Sequence, residues 1–220
     1  MPMTFDLMPV LAQWPILLKG LLLTLLLTAV GTPLGVLLGI ACGWLRVHGL
    51  GPVRLAVGAF VELMRNTPFI IQLFFIFFGL PAMGFRLSPL QASLIAMTLN
   101  LGAYSAEIVR AGMQATPKGL VEAAQSLAMN RWQVFRHVVL PPSLKRVWPA
   151  LVSQIILVML GTSVCSQISL EEMTYSANLI SSRTFRNFEA YVLVAAAYLA
   201  LAIVLRRLLN WAGPRWLFGR

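Results

Sequence analysis

The chain is written as long uncharged runs separated by short polar connections. The first run extends from Gly20 to Leu45, broken only by Pro33 and by glycines at 31, 35, 39 and 43. Their four-residue spacing puts the glycines on one helix face, where small residues let a second helix approach closely, in another subunit or in the same bundle. After the connection Arg46 to Arg54, an apolar stretch passes through Glu62 and Arg65 into the uncharged run Asn66 to Phe85. Pro81, Gly84, Ser88 and Pro89 mark a tight turn, and Leu87 to Ala106 follows as a third run. Val147 to Leu170 is the fourth, and Ala190 to Leu205 the fifth, flanked by Arg206 and Arg207, whose stems can snorkel. Blocks of this length predict membrane-crossing helices, whereas a lipid-facing β-barrel would need alternation. The expected fold is all-α: a polytopic membrane helix bundle of about five transmembrane helices forming one domain over 1–220, with spans at about 16–45, 55–80, 87–112, 146–170 and 189–209.

Between Glu107 and Arg146 the pattern changes, because charges return and apolar residues fall at helical spacing without forming a long block. Thr116 before Pro117 reads as a cap with proline at the first helical position, opening a short helix to about Leu127. Asn130 caps a second one to about Leu140, stopped by Pro141 and Pro142. Leu120, Val121, Ala124 and Leu127 give the first helix an apolar face; Trp132, Phe135 and Val139 give the second a stripe expected to pack on the chain's own bundle. The loop 113–145 is thus the main extramembrane feature.

Charge orients the bundle. Only 11% of residues are charged and 59% are hydrophobic, against about 25% charge in a soluble domain. With the N-terminus outside, thirteen of the seventeen Lys and Arg residues lie on the inner side, and only Lys19, Arg86, Arg183 and Arg186 on the outer. This asymmetry places the loop and the C-terminus in the cytoplasm. The net charge of +10 therefore serves orientation, and nucleic acid is not an expected partner. Arg131 and Arg136 are solvated or meet lipid phosphates. Cys42 and Cys165 sit in apolar runs without ligand or redox spacing, and His48 and His137 lack carboxylate or cysteine neighbours, so no metal site is expected. The start, MPMTFDLMPVLAQW, has no basic n-region, so the first span is expected to be retained. An intramembrane enzyme would need a nucleophile with its base or paired acids, yet Asp6 is the only aspartate and neither histidine lies within a span. No phosphate-binding Gly-rich loop is present.

The loop carries Glu122-Ala123-Ala124, three residues, Ala128, nine residues, and Val138-Val139-Leu140-Pro141. This resembles the EAA loop of ABC-importer permeases, Glu-Ala-Ala, three residues, Gly, nine residues, Ile, one residue, Leu-Pro. Ala128 stands where the family has a glycine suited to a left-handed turn, and Val138 where it has isoleucine. The resemblance extends along nearly the whole chain to the polar amino-acid branch: Glu62 to Pro68 followed by Gln72-Leu73-Phe74, Ala103 to Gly112, and Ser182 to Arg186 with Phe188 to Tyr191 are similar to segments of that branch. A departure occurs at Leu160-Gly161-Thr162-Ser163, where many members carry Lys-Asp-Thr-Ser.

The resemblance implies the type I importer transmembrane domain and a non-catalytic role in moving a polar amino acid across the bacterial inner membrane. It implies ATP and Mg bound by a separate ATP-binding subunit in two copies, a second permease chain, the same or related, and a periplasmic solute-binding protein. Glu122, Ala123, Ala124, Leu127, Ala128, Leu140 and Pro141 are then the residues that couple to the ATPase; for Glu122, a capping charge favoured by the helix dipole is the alternative. Polar groups near the midplane are the candidate solute path: Gln72, Asn100, Tyr104, Glu107, Gly161, Thr162, Ser163 and Gln167, each of which could instead be a helix-helix hydrogen bond. Asn100, Tyr104 and Glu107 share a helix face. Glu62 with Arg65 and Glu107 with Arg110 read as ion pairs. Alternatives are a permease for another small solute such as an opine or an osmolyte, and a passive channel or assembly subunit.

Overall fold

The computed structural model describes residues 5–213 and 215. Arg220 and the first four residues of the start lie outside the described residues. In chain order the helices are α1 (Met8–Leu11), α2 (Trp14–His48), α3 (Gly51–Arg65), α4 (Phe69–Phe74), α5 (Leu80–Ala82), α6 (Pro89–Gln114), α7 (Lys118–Ser126), α8 (Arg131–Gln133), α9 (Leu140–Gly161), α10 (Met173–Thr184) and α11 (Asn187–Ala212). Wider π turns occupy Phe75–Gly79 and Val134–Val139, and a 3₁₀ segment occupies Thr162–Ile168. Among the described residues, α2, α6, the stretch Arg131–Ile168 and α11 are long and apolar enough to cross a membrane. The bent pair α3 and Phe69–Ala82 supplies a fifth span if counted as one. The expected all-α membrane bundle is the observed fold.

Three local expectations change. The second run is broken at 66–68, because Thr67 precedes a proline and Pro68 is extended at φ −60°, ψ 140°. The Gln72 side chain stitches the break by donating to the carbonyl (3.0 Å) and hydroxyl (2.9 Å) oxygens of Thr67. Pro141 and Pro142 do not stop the loop's second helix, which continues into α9. The Leu140 N–H donates to the Phe135 carbonyl five residues back, and this widened turn makes room for pyrrolidine rings that would clash with a tight α-turn. Asn130 caps as expected, in a reciprocal capping box with Gln133. Thr116 does not cap: its hydroxyl lies 3.0 Å from that of Ser143, and Pro117 flanks α7 instead of opening it.

The chain divides into two compact units. One comprises Met1–Pro33, Thr67–Thr98 and Leu157–Val204. Here Val10, Ile180 and Ala190 form a buried cluster with Ile16, Leu17 and Leu193, and Gly20 and Gly31 face Ser176 and Met97. The other comprises Leu34–Asn66, Leu99–Ile156 and Leu205–Arg220. In it Gly35, Gly39 and Gly43 of α2 face Leu101, Ser105 and Ala106 of α6, so the glycine face packs within the chain's own bundle. A Cβ on Gly39 would lie 2.3 Å from the Ser105 Cβ, and only glycine admits so close an approach. Leu22, Leu37, Leu157 and Leu199 remain exposed, as side chains whose solvent is lipid should.

Candidate functional site

The loop 113–145 is anchored on one side and bare on the other. Val109 and Met113 of α6, Ala124 of α7, and Val134, Phe135 and Val139 form a buried cluster, with Ile40 and Trp44 of α2 and Val121 and Met129 packed on it. The predicted stripe therefore does pack on the bundle through Phe135 and Val139, while Trp132 stays exposed at the edge of the Trp44 and Phe135 rings. The predicted apolar face of α7 splits: Ala124 and Val121 turn inward, but Leu120 and Leu127 are exposed, Leu127 by 78%. Glu122 and Ala123 are exposed beside them, and among the described residues the Glu122 carboxylate makes no ion pair. Leu140 is half-buried against the cluster and Pro141 exposed, where the loop enters α9.

Ala128 adopts φ 56°. Its N–H donates to the Gln125 carbonyl (2.9 Å), and that of Met129 to the Ala124 carbonyl (3.3 Å). Both bonds belong to a helix end that normally uses glycine. The left-handed turn of the motif thus survives without its glycine, at a cost of about 1–2 kcal/mol for a side chain in that conformation.

The candidate path residues fall in two groups. In the first unit, Gly161 ends α9, and Thr162, Ser163 and Gln167 lie on the following 3₁₀ segment. Thr162 is fully buried, and its hydroxyl donates to the Met159 carbonyl at 2.7 Å. The Ser163 hydroxyl donates to the Leu160 carbonyl (2.8 Å), and Gln167 is exposed. A Cβ on Gly161 would meet nothing within 4 Å, leaving open the position where many branch members carry aspartate. Gln72 is buried and donates to Thr67. In the second unit, Asn100 is buried. Tyr104 donates to the Arg65 carbonyl (3.3 Å) beneath the Arg65 guanidinium, 5.6 Å from the ring centre. Glu107 is held by Arg46 at 2.5 Å and by Arg110. The expected Glu107–Arg110 pair therefore forms, whereas no Glu62–Arg65 pair is found among the described residues. His48 stacks on Trp44 and His137 contacts the Gln133 carbonyl; among the described residues no cluster could hold a metal ion.

Sequence reasoning passed over Glu172 and Tyr198. Glu172 is fully buried and caps α10: its carboxylate accepts from the N–H groups of Thr174 (2.9 Å) and Tyr175 (2.8 Å) and from the Tyr198 hydroxyl of α11 (2.5 Å). Burial pushes its carboxyl above the ordinary range, against the opposing pull of these three bonds. Glutamate is not among the preferred capping residues, so no local signal marks it.

Residues 31–217 match the family described as binding-protein-dependent transport system inner membrane component. The glutamine transport system permease protein GlnP of Escherichia coli (strain K12) is 34% identical over 94% of this chain and 96% of its own length. The nopaline transport system permease protein NocM of Agrobacterium fabrum is 32% identical over 73% of this chain and 72% of its own. The crystal structure of an amino acid ABC transporter with histidines has a chain that superposes with a TM-score of 0.85 at 33% identity, covering 95% of this chain and 98% of that one. The inward-facing MetNI methionine transporter, at 24% identity and a TM-score of 0.72, shares the fold over 92% of this chain and 94% of that one. With the helical architecture of four to five spans among the described residues, the anchored Glu-Ala-Ala loop and these likenesses in hand, the chain belongs to the binding-protein-dependent transport family of multi-pass inner-membrane permeases, the permease component of ABC importers.

Proposed function

We propose that this permease carries a polar amino acid inward by alternating access, driven by ATP and Mg held in a separate ATPase subunit present in two copies. The N-terminus lies outside and the C-terminus in the cytoplasm, as the basic residues assign them. The observation that carries the mechanism is the two-sidedness of α7. Its inner face is locked to α2 and α6 through Ala124 and Val121, and its outer face offers Leu120, Glu122 and Leu127 uncovered. A short amphipathic helix of this kind fits a groove on another protein and passes a rigid-body push to the spans behind it. Ala123 belongs to that surface, Ala128 sets the angle at which α7 leaves it, and Leu140 with Pro141 continues the path into α9. A second permease chain completes the solute path, and a periplasmic binding protein delivers the solute.

The relatives named for glutamine and for amino acids support the substrate class. An opine is the second reading, favoured by the nopaline permease among the relatives and by the open space at Gly161. Glu122→Lys tests the coupling role: insertion and complex assembly persist while uptake per ATP hydrolysed falls, because a reversed charge on the exposed face of α7 misaligns its contact with the partner. Loss of insertion in that variant, or unchanged uptake per ATP, counts against it.

A further inference from the structure

A fully buried carboxylate is costly to keep, and capping α10 does not explain Glu172. Aspartate or serine would cap the same N–H groups with a shorter reach and a better intrinsic preference. What the extra methylene achieves is contact with Tyr198. The Tyr198 hydroxyl gives its single proton to Glu172 Oε2 (2.5 Å). The same hydroxyl lies 3.3 Å from the Thr174 hydroxyl, which can donate to it, and 3.4 Å from Thr162 Oγ1, whose one proton is shared between it and the Met159 carbonyl at 2.7 Å. One oxygen of α11 therefore touches both the start of α10 and the first residue of the 3₁₀ segment Thr162–Ile168. The start of α10 is tied a second time, by the Met173 N–H donating to the buried Thr24 hydroxyl of α2 at 3.3 Å. The segment so held is a tight helical stretch that ends in a left-handed residue, Ser169 at φ 61°. The i→i+3 hydrogen bonds of such a segment have poorer geometry than those of an α-helix, so contacts from neighbouring helices help to fix it.

We propose that Glu172 and Tyr198 form a clamp that positions the 162–168 segment, and with it Ser163 and Gln167, for contact with the transported solute. This rests on the reading of that segment as part of the solute path. Both members are positioning residues, because each acts through Thr162 and the segment behind it.

Two single-site variants separate positioning from simple stability. Tyr198→Phe removes the hydroxyl alone. Glu172→Asp keeps a capping carboxylate but withdraws it from Tyr198. The purified complex with its ATPase is equilibrated with radiolabelled glutamine, arginine and glutamate without binding protein, and its melting midpoint is recorded alongside. The clamp predicts that each variant weakens binding of whichever label the wild type holds by about five- to tenfold, the scale of one lost hydrogen bond. The double variant should be no worse than the poorer single one. Tyr191→Phe, which removes the α11 hydroxyl bonded to Asn178, should bind as wild type. Unchanged affinity in Tyr198→Phe and Glu172→Asp overturns the clamp, as does a loss that merely tracks the melting midpoint. A wild-type complex that binds none of the labels overturns the solute-path reading itself, a result distinct from failure of the clamp.

Discussion

Replacing Gly39 by alanine is the sharpest test of the helix packing. The added Cβ would lie 2.3 Å from the Ser105 Cβ and 3.0 Å from the Ala106 nitrogen, where carbon contacts settle at about 3.5–4.0 Å. Backbone cannot swing aside as a long side chain can, so α2 and α6 must part locally by roughly an ångström. Overpacking of this kind costs about 1–3 kcal/mol, offset by about 1 kcal/mol for alanine's better helix propensity. Gly31 is the internal control: on the same face of α2, its added Cβ would stand 3.7 Å from Met97, an ordinary contact, so Gly31→Ala keeps the propensity gain. The two variants should therefore differ by about 2 kcal/mol, or about 4–8 °C in melting midpoint for a chain of this size. The assay is thermal unfolding of the purified complex in detergent at one scan rate, since unfolding of membrane complexes is irreversible in practice. Ser105→Gly should restore part of the loss in Gly39→Ala by removing the struck carbon. Equal midpoints for Gly31→Ala and Gly39→Ala, or a lower one for Gly31→Ala, would refute the reasoning.

Ala128→Gly should stabilise the loop by about 0.5–1 kcal/mol, the relieved left-handed strain less glycine's extra freedom in the unfolded chain; slower amide hydrogen exchange over 124–130 would register it, and faster exchange would contradict it. Glu172 has a raised folded-state pKa, so its contribution to stability is greatest below the unfolded carboxyl value and declines as pH rises toward the folded one. Glu172→Gln should accordingly flatten the fall in melting midpoint between acid and neutral pH, and a variant with the wild-type slope would exclude Glu172 as the source. Cysteines placed at Arg46 and Arg146 should react with impermeant reagent only from the cytoplasmic side; labelling from the outside would invert the topology.

Much of this molecule was legible in the chain because lipid imposes a simple rule: uncharged runs long enough to span become helices. The glycine face of α2 was equally visible in its spacing, although spacing alone left open which helix it would meet. The prolines were the least legible. Pro68 breaks a run, Pro141 follows the π turn at 134–139 without ending the helix, and Pro33 and Pro149 sit inside α2 and α9, outcomes with no residue signature. The buried Glu172–Tyr198 contact joins positions 26 residues apart through a cap of unfavoured type, so only tertiary structure reveals it. The Glu-Ala-Ala segment gave away the loop, yet the sequence assigned four residues to one apolar face of α7. The fold divides them into Val121 and Ala124, which anchor, and Leu120 and Leu127, which stay bare.

In the proposed function the uncovered face of α7 transmits ATP hydrolysis to an amino-acid path. The most direct test of this role is ATP hydrolysis by the complex of this chain with its ATPase, reconstituted in lipid and presented with the matching periplasmic binding protein loaded in turn with each of a panel of amino acids. The account predicts that hydrolysis and uptake rise together for one group of polar amino acids, and that Glu122→Lys separates the two. A complex whose hydrolysis ignores every loaded binding protein, or one in which Glu122→Lys leaves uptake per ATP unchanged, would contradict it.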